Sequence, residues 1–146
     1  MATRYLPKMV PLSLPIQIVR MHDLYPALCR VSWDRGLLEW EGPLQPIDAA
    51  HEYRIRIAYR LRQPPKVRVL APELKVNSEG KPIPHRYRDG SLCLYYPRYR
   101  EWTSAMAIAE TIVPWTSLWL YHYEVWHAIG DWLGGGIDHA GPKMAA

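Results

Sequence analysis

The sequence predicts a single α+β domain, and three features of its patterning lead to that prediction. An early segment carries apolar residues at helical spacing, four short segments alternate between apolar and polar residues, and a later segment returns to helical spacing. Short alternating segments joined by short turns favour an antiparallel meander, and an amphipathic helix can cover its apolar face. The chain of 146 residues is 49% hydrophobic, which suits one globular domain over residues 1–146.

The first helix is predicted over residues 12–25. Apolar residues recur three or four positions apart from Leu14 to Tyr25, which places them on one helix face. Pro15 suits the first turn, where the N–H that proline lacks would have no partner. Pro26 marks the end of the helix.

Two strands joined by a tight turn are predicted to follow this helix. From Cys29 to Trp33 every second residue is apolar, so we expect a strand with Cys29 as a small core residue. Residues 34–36 form the turn. The second strand carries apolar residues at alternate positions and ends at Gly42-Pro43.

The clearest alternation lies between Tyr53 and Leu61, where aliphatic and aromatic residues share one face. The opposite face is mostly arginine: Arg54, Arg56, Arg60 and Arg62. This pattern predicts a third strand with one buried and one solvated face, and the arginines offer a surface to an acidic partner in a binding protein. Pro64-Pro65 breaks the strand, and residues 66–70 form the fourth.

A long loop and a second helical region complete the predicted fold. Residues 73–101 show little periodicity and several prolines, and loops of this length in compact domains are usually functional or disordered. The apolar segment 92–96 argues against disorder. Residues 103–128 return to helical spacing. Pro114 predicts either a kink or the first turn of a separate helix.

The final helix is predicted to end at Gly130, and a tail over about 134–146 is expected to be flexible because it begins with three glycines. The chain shows no apolar leader and no run of 18 apolar residues, so we expect neither a signal peptide nor a membrane span. A cytoplasmic location follows, with both cysteines as free thiols.

Cys93 is the candidate nucleophile. It lies in the irregular segment, eight residues after His85, and a nearby histidine can lower a thiol pKa, move a proton or hold a loop. The pattern leaves two interpretations open, a reactive loop thiol and an inert thiol in a fifth buried strand over residues 92–94. Asp89 either orients His85 or an incoming lysine, or forms a turn beside Gly90.

No residue pattern predicts a metal or a cofactor. His122 and His127 are five positions apart, which puts them on different helix faces, and they lack zinc-ligand spacing with Cys93. His139, in the predicted tail, is a candidate to fold back over the site, although termini are usually mobile. The net charge of +4 is mild and no nucleic-acid motif is present, so we expect no nucleic-acid partner.

Several motifs resemble those of ubiquitin-conjugating enzymes in their order and approximate spacing, over residues about 12–128. The motifs are Trp40-x-Gly42, Pro64-Pro65-Lys66-Val67, His85, and Gly90-Ser91-Leu92-Cys93-Leu94. The resemblance implies a UBC-like fold, which has an N-terminal helix, a four-stranded antiparallel meander, a long active-site loop and C-terminal helices. It also implies that Cys93 forms a thioester, that His85 supports it, and that the reaction is acyl transfer.

A bacterial branch of this family resembles the chain more closely. The matching segments are Pro84-His85-Arg86-Tyr87-Arg88-Asp89-Gly90-Ser91-Leu92-Cys93-Leu94-Tyr95, Trp102, Pro114-Trp115, Gly130-Asp131-Trp132-Leu133-Gly134 and His139. Such proteins occur in CBASS antiphage operons, where they attach the C-terminus of a cGAS-like nucleotidyltransferase to a target. The resemblance therefore implies such a nucleotidyltransferase, or a ubiquitin-like protein with a C-terminal glycine, as donor. It further implies a target protein and an activating enzyme, with no cofactor and no membrane.

The loop departs from the eukaryotic pattern in two ways. That pattern has His-Pro-Asn, whose asparagine is proposed to stabilise the oxyanion, whereas this chain has His85-Arg86-Tyr87. His85, Arg88 or a backbone N–H are the candidates to replace it. The interval between the histidine and Cys93 is two residues shorter, so the loop path must differ. The alternative function is a non-catalytic UBC-like module that binds proteins.

Overall fold

The strands of the protein pair in the order in which they occur along the chain. The computed structural model describes residues 9–47, 51–95 and 101–134. Its elements are α1 (Leu14–Leu24), β1 (Cys29–Asp34), β2 (Leu37–Leu44), β3 (Tyr53–Arg60), β4 (Lys66–Ala71), a 3₁₀ helix (Ile108–Glu110) and α2 (Ile112–Ile129). The four strands form one antiparallel sheet in the order β1-β2-β3-β4, which confirms the predicted α+β meander. No helix in the described ranges is long and apolar enough to cross a bilayer.

Helix α1 is fixed at its start by a cap and in its middle by a buried amide. The Ser13 hydroxyl accepts a hydrogen bond from the Ile16 N–H, and Pro15 lies in the first turn as predicted. Gln17 is fully buried; it donates to the Met106 carbonyl at 2.9 Å and accepts from the Ile108 N–H at 2.9 Å. Because both ends of this amide are satisfied, its burial costs little and ties α1 to the segment before α2.

One face of the sheet forms the core with α1 and α2. The alternate residues of β3 from Tyr53 to Tyr59 are all buried, as the alternation predicts. Leu61 is 38% exposed because β3 ends one residue before it, at Arg60. Buried residues of α2, including Trp119 and Tyr123, belong to the same apolar cluster.

The opposite face of the sheet carries ion pairs across neighbouring strands. Arg54 donates to Glu41 with an Nε–Oε1 distance of 2.8 Å, and Arg56 pairs with Glu39. Opposite charges at adjacent positions on two strands stabilise their pairing modestly. The arginine face predicted from β3 therefore has acidic partners on β2, which reduce its net positive charge.

The prediction that Cys29 is a core residue is wrong. Cys29 is exposed, and Trp33 of the same strand is 46% exposed. β1 is an edge strand, and its pairing with β2 slips between Arg30 and Ser32. Because Cys29 lies opposite Glu41, which carries the ion pairs of the outer face, its side chain belongs to that solvated face.

The predicted end of β2 at Gly42-Pro43 is also wrong, since the strand continues to Leu44 and Pro43 pairs with Arg54 of β3. β1 pairs with β2 only as far as Glu41. Beyond that point β2 is an edge strand on one side, where proline is tolerated.

Of the two forms predicted for the second helical region, the structure has the separate helix rather than the kink. Pro114 lies in the first turn of α2, after the short 3₁₀ helix, so α2 is not kinked by it. Gly130 closes α2 with φ of 84°, and its N–H donates to the Trp126 carbonyl at 2.8 Å. The predicted flexible tail falls almost wholly on residues 135–146, including His139, which lie outside the described residues.

Gly42→Ala is expected to destabilise the protein by about 3 kcal/mol, because a β-carbon at Gly42 would overlap the backbone carbonyl oxygen of Ala27. Gly80→Ala is the matched control. A β-carbon at Gly80 meets nothing within 4 Å, and its φ of 71° makes the expected cost about 1 kcal/mol. Urea denaturation of both variants measures the difference. Equal losses of stability would show that the chain before β1 does not press against β2.

Candidate active site

Residues 85–93 form a tight hairpin, here called the 85–93 hairpin, within the loop after β4. The Cys93 N–H donates to the His85 carbonyl at 2.9 Å, and the Tyr87 N–H donates to the Ser91 carbonyl at 2.8 Å. Between these bonds, Arg86 and Leu92 form an antiparallel bridge. His85 and Cys93, eight positions apart in the sequence, are therefore directly opposite each other.

The 85–93 hairpin is attached to β4 at two points. The buried Leu92 donates its N–H to the Val67 carbonyl at 2.9 Å. At the turn, an Asp89 carboxylate oxygen lies 3.0 Å from Lys66 Nζ and 3.4 Å from an Arg68 guanidinium nitrogen. The sheet thus fixes both the side and the tip of the hairpin.

Asp89 also shapes the turn itself. Its carboxylate accepts hydrogen bonds from the Ser91 N–H at 2.9 Å and from the Ser91 hydroxyl. These bonds, followed by the bond from Lys66, hold the pKa of Asp89 well below its ordinary value because they favour the ionised carboxylate. Of the two roles predicted for Asp89, its contacts are those of a turn former.

His85 is held from the side of α2. Its backbone adopts a left-handed conformation with φ of 53°, and its carbonyl accepts a second hydrogen bond, from Trp119 Nε1 at 2.9 Å. The His85 residue is buried, and its imidazole ring packs against Trp132 with 4.9 Å between ring centroids. Trp132 in turn lies 5.3 Å from the Trp119 ring.

Cys93 is partly buried, neither sealed in the core nor fully exposed. Its thiol donates to the Tyr95 carbonyl at 3.6 Å. Burial raises the pKa of Cys93, because it disfavours the thiolate, and the nearby Glu101 carboxylate raises it further. Hydrogen bonding to the sulfur from the Tyr87 side chain, and then from the Tyr95 backbone, lowers the pKa and partly offsets this rise.

The surroundings of Cys93 bear on the two interpretations that the sequence left open. The hairpin pairing around Cys93 is an isolated bridge, not a strand of the sheet, within the part of the loop that the structure describes. Leu92 is buried whereas Cys93 is only half-buried. This arrangement matches a loop thiol rather than a fifth core strand, and the raised pKa means that the resting form is the protonated thiol.

Tyr87 is the residue of this site that sequence reasoning missed. It stands where the eukaryotic loop has its asparagine, and hydrogen bonding from its side chain lowers the pKa of Cys93. The candidates to replace that asparagine were His85, Arg88 and backbone N–H groups. The position of Tyr87 in the motif was the available signal.

Of the other histidines singled out from the sequence, His122 and His127 lie in α2, and His139 lies outside the described residues. His122 is partly buried, with its ring 5.9 Å from Trp132. His127 is exposed and lines a cleft of about 490 Å³ with Tyr53 and Glu124. Over residues 9–47, 51–95 and 101–134, no group of three or more histidine, cysteine, aspartate or glutamate side chains is placed to hold a metal ion.

Comparison with known protein families gives a match to a family of conjugating proteins. The family model described as Type II CBASS E2 protein matches residues 17–140, which is well over half of the chain. The matched region spans the sheet, the 85–93 hairpin and α2. The curated proteins give no match.

Cys93 is expected to react slowly with alkylating reagents at neutral pH. Because burial raises its pKa, the thiolate should form only as the pH rises above the ordinary value of 9.0. The rate of iodoacetamide alkylation against pH, followed by mass spectrometry on a Cys29→Ser protein, measures this directly. The Cys93→Ser protein, which keeps the exposed Cys29, checks the reagent, and a midpoint at or below neutral pH would contradict the expectation.

Asp89→Asn is expected to lower stability by about 1 kcal/mol at neutral pH, because it weakens the bonds to Ser91 and the ion pairs to β4. The folded protein depresses the pKa of Asp89, so the stabilisation is present above the ordinary value of 3.8 and fades as the pH falls below it. Wild type and variant should therefore converge in acid.

Urea denaturation at neutral pH and at a series of pH values reaching well below 3.8 measures this convergence. Ser91→Ala is the control, since it removes the hydroxyl donor, keeps the backbone donor and should give a smaller loss at neutral pH. A difference between wild type and Asp89→Asn that stayed constant with pH would show that the charge of Asp89 is unimportant.

Proposed function

We propose that this chain, which belongs to the family of Type II CBASS E2 proteins, carries a protein C-terminus as a thioester on Cys93 and transfers it to an amine. The family gives the general function, an E2-like conjugating role in CBASS antiphage defence. The observation that carries the more specific proposal is the position of Cys93. Its sulfur is half-buried at the end of a hairpin that is fixed both to β4 and to α2.

The architecture supports a UBC-like interpretation of the fold. The order of elements is an N-terminal helix, a four-stranded meander, an irregular segment that contains the cysteine, and a C-terminal helix. This is the order implied by the resemblance to ubiquitin-conjugating enzymes. We therefore treat residues 1–146 as one UBC-like domain with its reactive cysteine in the long loop.

The proposed reaction has two acyl-transfer steps. The Cys93 thiol loses its proton, and the sulfur attacks the carbonyl carbon of an activated C-terminus, so that a C–S bond forms and the activating group leaves with its electron pair. An amine then attacks the same carbon. The C–N bond forms, the C–S bond breaks with its electron pair returning to sulfur, and the amine loses a proton to solvent or to a nearby base.

His85 is proposed to support this chemistry mainly by holding the loop. Its carbonyl accepts the N–H of Cys93 and the indole N–H of Trp119, so it fixes the backbone of the cysteine relative to α2. A second proposed role of His85 is that its buried imidazole, which packs on Trp132, acts as an acid or a base.

The proposed donor is the C-terminus of a cGAS-like nucleotidyltransferase, because the family belongs to CBASS. A ubiquitin-like protein with a C-terminal glycine is the second candidate. Either donor requires activation of its carboxyl group, so an activating enzyme is a proposed partner, together with a target protein that provides the amine.

The expected result of a charging reaction is an adduct that thiols reverse. Wild type and Cys29→Ser, incubated with donor, activating enzyme and ATP, should both form it on a non-reducing gel, because Cys29 lies on the outer face of the sheet. Cys93→Ser should give either a thiol-resistant ester or no adduct, and Cys93→Ala should give none.

The binding-module alternative predicts a different pattern. In that case the wild type forms no covalent adduct with any donor, and Cys93→Ala binds the donor with unchanged affinity by calorimetry. A thiol-reversible adduct that persisted in Cys93→Ala and vanished in Cys29→Ser would move the reaction to the other cysteine and overturn the assignment of Cys93.

A further inference from the structure

The 85–93 hairpin places a phenol beside the reactive sulfur through its register. Tyr87 pairs with Ser91, and Cys93 pairs with His85, on either side of the Arg86–Leu92 bridge. Tyr87 and Cys93 are therefore diagonal neighbours across the hairpin, a separation that a long aromatic side chain can span. The register thus brings the Tyr87 side chain within reach of the Cys93 sulfur, and hydrogen bonding between the two raises the pKa of Tyr87 and lowers that of Cys93.

The surroundings keep Tyr87 in its protonated form. Burial, followed by the contact with Cys93, raises the pKa of Tyr87 far above its ordinary value. At neutral pH its hydroxyl therefore donates a hydrogen bond and does not act as a base. Because both side chains are partly buried, this bond is less weakened by water than an exposed one.

We propose that Tyr87 is a catalytic residue whose hydroxyl donates a hydrogen bond to the Cys93 sulfur and stabilises its negative charge in both acyl-transfer steps. In the first step the charge develops on sulfur when the thiol proton leaves before attack. In the second step it returns to sulfur when the C–S bond breaks. Tyr87 keeps its own proton in both steps, so no further reactant is needed.

This role differs from the one proposed for the asparagine of the eukaryotic loop. That asparagine is thought to act on the carbonyl oxygen of the tetrahedral intermediate, whereas Tyr87 contacts sulfur before any substrate is bound. A donor to sulfur lowers the thiol pKa of the free protein. A donor to the oxyanion changes only the rates of acyl transfer.

The test is the Cys93 thiol pKa in a Cys29→Ser protein, from the pH dependence of iodoacetamide alkylation, with and without Tyr87→Phe. Tyr87→Phe removes a hydrogen bond to a charged group. Loss of such a bond, at its ordinary strength, is expected to raise the Cys93 thiol pKa by about one unit. Thiolate at neutral pH then falls about tenfold. The alkylation rate falls only about threefold, because a more basic thiolate is a better nucleophile.

Tyr95→Phe is the matched control. It removes a second phenol near Cys93 and keeps the Tyr95 carbonyl that accepts the thiol, so the thiol pKa should not move. Tyr87→Met is a second hydroxyl-free variant and should raise the pKa as Tyr87→Phe does. Thermal melts of each variant verify that the hairpin is folded.

The role of Tyr87 in the second acyl-transfer step rests on the proposed thioester function. The role of Tyr87 and the thioester function can nevertheless fail separately. Discharge of a Cys93 thioester to free lysine should be about tenfold slower in Tyr87→Phe, because the leaving sulfur is less stabilised. An unchanged thiol pKa overturns the proposal, and slower discharge with an unchanged pKa would reassign Tyr87 to the oxyanion. If the wild type forms no adduct with any donor, the proposed thioester function is wrong. The shift of the Cys93 thiol pKa in Tyr87→Phe would still test the hydrogen bond to sulfur.

Discussion

The carbonyl of His85 is the point on which the geometry of the site depends. It accepts one hydrogen bond from the Cys93 backbone and one from the Trp119 indole, and the residue is buried. If either donor were lost, the buried His85 carbonyl would keep only one hydrogen bond, and an under-satisfied polar group inside a protein is costly. The Cys93 backbone is therefore fixed relative to α2 by the His85 carbonyl and the Trp119 indole.

The sheet provides the second fixed boundary of the site. The bond from Leu92 to Val67 and the ion pair of Asp89 with Lys66 attach the hairpin to β4, in addition to its attachment to α2. A hairpin fixed from two sides needs few side chains around the sulfur itself. The charge state of Cys93 then reflects a balance between burial and a small number of hydrogen bonds, and a single hydroxyl can shift that balance.

The parts of the fold that could be predicted from the sequence are those decided by burial alone. The alternation of apolar and polar residues in β3 identifies its buried residues, because successive side chains of a strand point to opposite faces of the sheet. The position of Cys29 could not be predicted in this way, since it depends on a slip in the pairing of β1 with β2. The continuation of β2 through Pro43 depends on where β1 stops pairing, which is equally a property of the assembled sheet.

The same distinction separates the residues of the candidate site. Cys93 and His85 could be selected from motif spacing, whereas their direct pairing required the path of the hairpin. Tyr87 gains its contact with sulfur only through the register of that hairpin, which has no signature in composition or periodicity. Trp132 packs on His85 from the segment after α2, a tertiary contact that no local pattern encodes.

The partial burial and raised pKa of Cys93 also affect how readily its sulfur is oxidised. Peroxides oxidise thiolates far faster than thiols, and sulfinic and sulfonic acids cannot form thioesters. A sulfur that stays protonated at rest is shielded from that chemical damage, whereas the exposed sulfur of Cys29 lacks the steric part of this shield. For the thioester function proposed above, this protonated sulfur is a less reactive target for peroxides than an exposed thiolate would be.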